Sequence, residues 1–250
     1  MLRPLLLVAA LLLAGCAASP APAAPAPCAP AAIDRGGGEA LCATTADGWV
    51  LQGAAWNRGN ATAPGILLVH GLNEDRHSYD TLAHDLAAKG WRVVAFDSRG
   101  HGLSTHRTDG STRTLQQFGD ADFLAMERDL AAMQPLANAS VILGASVGAN
   151  EALRHAAADP LARAAVLLSA GDNYRGIDAT GAAAAFRGPI LFFASQGDAY
   201  AAQSARDLAQ RHPGPHDVDV VPGSAHGTNL LLDPAYSAAI EAWIARQVQG

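Results

Sequence analysis

Val141-Ile142-Leu143-Gly144-Ala145-Ser146-Val147-Gly148 decides how the chain is read. Three consecutive apolar residues suit a strand buried on both faces, the usual state in a parallel sheet. The run ends in Gly-x-Ser-x-Gly, and the stretch Val147–Ala158 that follows has the pattern of an Ala-rich helix. A serine on a tight strand-to-helix turn needs neighbours two residues away that carry no side chain. Its strained backbone lifts the hydroxyl above the sheet, where the following helix N-terminus favours developing negative charge. An ordinary Gly/Ser turn is the bland alternative. The strand before and the helix after favour a nucleophile.

Outward from this turn, strand and helix alternate. Strands are expected at Leu41–Thr45, Trp49–Trp56, Ile66–Val69, Arg92–Phe96, Ser140–Leu143, Ala165–Ser169, Pro189–Ala194 and Asp217–Val221. Helices are expected near Tyr79–Lys89, Asp120–Met133, Val147–Ala158, Ala201–Arg211 and Pro234–Gln249, with a connecting helix at Ala179–Phe186. Asp233-Pro234 supplies a capping side chain and a first-turn proline for the last of these. Such alternation predicts an α/β domain, a parallel sheet covered by helices on both sides. No internal repeat or linker divides residues 39–250, so one domain is expected there.

Composition excludes several classes. The chain has 250 residues, 50% of them hydrophobic, and 56 alanines against a single lysine, Lys89. With 17 basic and 23 acidic residues, net −6, it has no basic stripe, and nucleic acid is not an expected partner. There is no phosphate-cradling loop, no dinucleotide fingerprint and no H-E-x-x-H helix, so no cofactor and no metal are expected. His77 and His84 are read as an exposed helix face rather than as ligands.

The first residues read as an address. Arg3, the apolar run Leu5–Leu13 and the ending Leu13-Ala14-Gly15-Cys16 resemble a bacterial lipoprotein signal, with residues 1–15 removed and Cys16 lipidated. A plain secretory signal cleaved near Ala18 or Ala21 is the alternative. Residues 16–38 hold five prolines and read as an extended tether, at ~3.1 Å per residue. The resemblance implies an exported, membrane-anchored protein, at the outer membrane facing the periplasm in a Gram-negative cell. Cys28 and Cys42 are then the pair left for a disulfide, with two separate thiols as the alternative.

Three further motifs accompany the serine turn. Val69-His70-Gly71-Leu72-Asn73 follows the third strand, Asp97-Ser98-Arg99-Gly100-His101-Gly102-Leu103-Ser104 follows the fourth, and Pro222-Gly223-Ser224-Ala225-His226-Gly227 follows the last. Together they resemble the α/β-hydrolase superfamily across residues 39–250. The resemblance implies a mostly parallel eight-stranded sheet with no large cap domain. It implies Ser146 as nucleophile, His226 as base and Asp198, in Gln196-Gly197-Asp198, as the orienting acid; Asp172 is the rival acid. The oxyanion hole would come from the backbone N–H groups of Leu72 and Val147. His70 is expected to be structural, and Asp97 and Arg99 to pair and hold their loop. His155, His212 and His216 are set aside by their positions.

The function these residues predict is hydrolysis of small or short-chain carboxylic esters through an acyl-enzyme on Ser146. A serine-aminopeptidase-type peptidase, a thioesterase or an amidase would use the same residues. A non-catalytic tethered binding module is the reading from a different class. Oligomeric state is not legible. A site with little lid sequence and few aromatic residues (6%) is expected to be open.

Overall fold

Which way each strand residue faces explains the architecture of this computed structural model, in which residues 33–247 are described. The principal strands are β1 (Glu39–Thr44), β2 (Trp49–Trp56), β3 (Gly65–Val69), β4 (Arg92–Phe96), β5 (Ala139–Ala145), β6 (Ala164–Leu168), β7 (Ile190–Ser195) and β8 (His216–Val221). They form one sheet in the order β1-β2-β4-β3-β5-β6-β7-β8. β2 runs antiparallel to β1 and β4, and the other pairings are parallel. A two-residue strand, His106–Arg107, adds to β2. Every expected principal strand lies within two residues of an observed one.

Side chains alternate across the sheet, as extended backbone requires. Leu67, Val69, Ile142, Leu167 and Phe192 enter one core with helices α2 (Glu127–Ala137), α3 (Val147–Ala158), α4 (Thr180–Ala185) and α5 (Ala199–Arg211). Ile66, Leu68, Val141, Leu143, Val166 and Phe193 enter the other with α1 (Asp80–Ala88) and α6 (Pro234–Arg246). Alanine sets the spacing in the first core, where α3 places Ala149, Ala152 and Ala156 among the buried residues. Asp233 caps α6 by accepting a bond from Ala235 N–H at 2.9 Å.

Two local expectations are corrected. The helix expected over Asp120–Met133 is a short helix, Asp120–Leu124, followed by α2. The break lets Phe123 and Met126 enter a small cluster around Val147 while Leu130 and Met133 enter the main core. The segment between β6 and β7 also contains a hairpin, Asn173–Tyr174 with Ile177–Asp178, before α4. Residues 1–15, Cys16 and Cys28 lie outside the described residues. Cys42, on β1, is disulfide-bonded.

Glu151 is fully buried on α3, and neither carboxyl oxygen has a hydrogen-bond partner among the described residues. Burial raises it to about 8, opposed by Arg154 and reinforced by Asp129 and Glu127. A carboxyl raised above its unfolded value, ~4.3, stabilises the fold fully below that value. The contribution fades as pH rises through about 8. Glu151→Gln should therefore gain melting temperature relative to the parent between pH 5 and pH 8.5, by several degrees. Parallel melting curves for the two proteins across that range would contradict the assignment.

Candidate active site

Ser146 stands between β5 and α3 with φ 54° and ψ −124°, a backbone state that a non-glycine residue adopts only under constraint. Its N–H donates to Leu168 O at 2.8 Å, which ties the turn to β6. The flanking glycines are forced by close approach. A β-carbon on Gly144 would lie 2.1 Å from Gly148 O, and one on Gly148 would lie 2.3 Å from His70 O. Helix and strand meet too closely there for any side chain.

The loops after β7 and β8 bring an acid and an imidazole to this turn. His226 Nδ1–H donates to Asp198 Oδ2 at 2.6 Å, and Ser146 Oγ donates to His226 Nε2 at 2.8 Å. A carboxylate can only accept, so Asp198 fixes the tautomer that leaves Nε2 free as a base. Asp198 is largely covered while the imidazole is 44% exposed, open to water. The loop carrying His226 is tied on both sides. Ser195 Oγ donates to Ala225 O at 2.6 Å, Gly227 N–H donates to Ser169 Oγ at 3.0 Å, and Thr228 Oγ1 donates to Glu74 Oε1 at 2.7 Å.

The rivals fall elsewhere. Asp172 lies against α5, its N–H donating to Ser204 Oγ at 3.0 Å. Burial and then Asp207 raise its carboxyl above the ordinary range. His155 faces Asp159 on α3, and His212 Nδ1 lies 3.2 Å from Ala183 O.

The loop after β3 lies against the serine turn. His70 Nδ1–H donates to Gly71 O at 2.8 Å, and its Nε2 accepts Ser98 N–H at 3.0 Å. Burial pushes His70 down to about 3, which keeps it neutral and suits one donor and one acceptor. Gly71 O also accepts Glu74 N–H at 3.3 Å. In a trans peptide the N–H points opposite to the C=O. Pinning Gly71 O therefore aims Leu72 N–H the other way. Among the described residues, neither Leu72 N–H nor Val147 N–H donates to a backbone acceptor.

Three sequence expectations around the site need correction. Asp97 does not pair with Arg99. It accepts Arg76 N–H at 2.9 Å and Leu103 N–H at 2.8 Å and binds the Arg76 guanidinium. Arg99 instead bridges Asp129 and Asp47, each at 2.8 Å, over the Trp49 ring. His77 is not on an exposed helix face. Its Nδ1 lies 3.0 Å from Asp80 and 3.5 Å from Asp34, and these three side chains could together hold a metal ion; Arg76 already pairs with Asp34 at 2.6 Å. Few aromatic residues did not mean few at the site. Phe123, Met126, Val147 and Ile177 form a buried apolar cluster with Leu72, Phe118 and Tyr174 packed on it. Tyr174 meets the His226 ring edge-on at 6.3 Å, and Arg175 lies 5.6 Å over Phe123. On the other side of the Gly71–Glu74 turn, a cavity of about 490 Å³ is lined by Asn73, Glu74, Asp75, Ser78, His101 and Gln116 among others. The apolar cluster adjoins the serine turn through Val147.

Comparisons with known proteins find likenesses over part of the sequence and in the fold. The family model described as serine aminopeptidase, S33, matches residues 61–171. A serine hydrolase-like protein from Danio rerio is 40% identical over 60 residues, 24% of this chain and 18% of the relative. An sn-1-specific diacylglycerol lipase from Mus musculus is 37% identical over 60 residues, 24% of this chain and 20% of the relative. The matched stretch thus spans about a fifth of the length of these curated relatives. Among solved structures, an esterase from Pyrococcus furiosus superposes with a TM-score of 0.63 at 17% identity, covering 84% of this chain and 91% of that one. An esterase from Rhodococcus gives 0.63 at 17%, covering 83% and 99%. A dienelactone hydrolase from Anabaena variabilis gives 0.63 at 17%, covering 85% and 96%. The chain has the α/β-hydrolase fold, and among the described residues there is no large cap domain.

Proposed function

We infer that the protein is a serine hydrolase of small or short-chain carboxylic esters, working through an acyl-enzyme on Ser146. The hydrogen-bonded line from Ser146 Oγ through His226 to Asp198 carries this reading. His226 Nε2 takes the serine proton as Oγ attacks the ester carbonyl, and the oxygen that becomes negative is received by the N–H groups of Leu72 and Val147. His226 then returns the proton to the leaving alcohol. Water, activated by the same imidazole, adds to the acyl-enzyme, and collapse frees the acid and restores Ser146. Asp198 holds the imidazole in the required tautomer and stabilises its charged form.

The acyl-chain preference follows from what fills the space beside the serine. Ile177 and Met126 are essentially inaccessible, and Phe123 is buried with them. The apolar wall is thus packed and offers a shallow seat for a short acyl chain. Activity on p-nitrophenyl esters is expected to peak at short chains and to show no jump above the substrate's micelle point. A maximum at long chains, or such a jump, would overturn the short-chain reading in favour of a lipase. The family-model match over residues 61–171 supports a second reading, cleavage of aminoacyl amides by the same residues. A panel of esters, thioesters and aminoacyl amides separates the two.

The sequence from Leu13 to Cys16 supports export with a lipid on Cys16, and the disulfide at Cys42 suits an oxidising compartment. Cys16→Ala is expected to release an active, soluble enzyme from the membrane fraction. Unchanged membrane association, or a mature protein that retains residue 1, would contradict this address.

A further inference from the structure

We propose that Glu74 and Thr228 form a strap that positions the donor loop and the base loop relative to one another. They are positioning residues for the hydrolysis proposed above, and the inference rests on that reading. Glu74 belongs to the turn after β3, and Thr228 lies two residues beyond His226, so the strap joins segments 154 residues apart. One carboxyl oxygen, Oε2, accepts Gly71 N–H at 2.8 Å; the other, Oε1, accepts Thr228 Oγ1–H at 2.7 Å.

Each end of the strap touches a group whose direction matters. On the donor side, Glu74 fixes Gly71 twice, through Gly71 N–H to its carboxylate and through its own N–H to Gly71 O at 3.3 Å. That residue carries the carbonyl of the peptide whose N–H, on Leu72, is assigned to the reacting oxygen in the mechanism proposed above. On the base side, Thr228 is buried and follows Gly227, which has φ 60°, so the backbone between His226 and Thr228 is sharply turned. A pull on Thr228 therefore reaches the imidazole through two residues.

The strap also lies against the serine. A β-carbon on Gly71 would be 3.0 Å from Glu74 Oε2 and 3.3 Å from Ser146 Cβ. One on Gly227 would be 3.8 Å from Glu74 Oε1 and 3.7 Å from Ser146 Cβ. A carboxylate this near a developing oxyanion would oppose it if its charge were turned inward. Both oxygens are instead engaged by donors from the two loops, which turns the charge away from the reacting centre. The geometry needs an acceptor toward Gly71 N–H and a second hydrogen-bonding atom toward the Thr228 hydroxyl, on a side chain of this length, rather than a negative charge. Glutamine meets that need, because its oxygen can accept Gly71 N–H while the Thr228 hydroxyl rotates to accept from its amide.

The test compares five variants on a short p-nitrophenyl ester, with melting temperature as the check on folding. Glu74→Ala and Thr228→Val are expected to lose kcat by roughly tenfold to a hundredfold with KM within about twofold, because displaced groups act on the transition state more than on binding. The Glu74→Ala/Thr228→Val double variant is expected to be no slower than Glu74→Ala, since one contact is removed in both. Glu74→Gln and Thr228→Ser should recover most of kcat. Should Glu74→Ala fail to fold, Thr228→Val and Glu74→Gln still decide. Active parent enzyme with Thr228→Val unchanged overturns the strap alone. So does Glu74→Gln as slow as Glu74→Ala, which would assign the role to charge. A parent that hydrolyses none of the acyl substrates overturns the hydrolase reading and the strap with it.

Discussion

Ser146→Ala is expected to lose ester hydrolysis by at least about 10⁴-fold in kcat while melting within a few degrees of the parent. The size follows from removing the atom that forms the covalent bond, for which nothing else in the site substitutes. The small effect on folding follows from the contacts. The serine hydroxyl is bonded to His226, whereas the strained turn is held by Ser146 N–H on Leu168 and by the glycines on either side. Alanine keeps the backbone and its cost. Residual activity within tenfold of the parent would remove Ser146 from its role.

Gly148→Ala carries the second large effect, on stability and activity together. Its new β-carbon would stand 2.3 Å from His70 O and 2.5 Å from Val69 O, both backbone atoms at the end of β3. No rotamer relieves a clash with backbone, so α3 must move from the sheet or the donor loop must move from the serine. Overpacking of this kind costs about 3 kcal/mol or more, ~6–12 °C in melting temperature at this chain length. Activity is expected to fall at least about a hundredfold, because either movement separates Ser146 from Leu72 N–H. Gly181→Ala is the matched control. Nothing lies within 4 Å of a β-carbon there, on α4, so it should melt at or slightly above the parent. Equal melting temperatures for the two variants would show that the close approach at Gly148 is not a constraint.

What the sequence made legible was the part written in local pattern. Val141-Ile142-Leu143 before Gly-x-Ser-x-Gly has one reading as a buried strand turning into a helix, and Asp233-Pro234 has one as a helix start. The family resemblance carried by the motifs after strand ends implies Asp198 and His226, which lie in one hydrogen-bonded line with Ser146. Pairing between distant segments was not readable. Asp97 has an arginine two residues away, yet it binds Arg76, from the turn after β3, because Arg99 points across to Asp129 and Asp47. The supports of the base loop, Ser169, Ser195 and Glu74, are ordinary polar residues until β6, β7 and the turn after β3 place them around Ala225–Thr228. Ser169 left one trace only the backbone reveals, a positive φ of 52° in a non-glycine residue.

The apolar wall shows the same limit from the side of composition. Few aromatic residues in the chain said nothing about where they gather. Phe118 and Phe123, on either side of Gly119, and Tyr174, on the hairpin, converge because the break after Leu124 turns one helical face toward Val147. A helix running unbroken to Met133 would have kept Phe123 and Leu130, seven residues apart, on one face of a single cylinder and left the wall unbuilt.

In the proposed reaction Ser146 becomes covalently acylated with His226 as its base. Incubation with a fluorophosphonate, then digestion and mass spectrometry, tests it most directly. One adduct is expected, on the peptide carrying Ser146, absent from Ser146→Ala and formed far more slowly in His226→Ala. An unlabelled parent protein, or an adduct on any other residue, would contradict it.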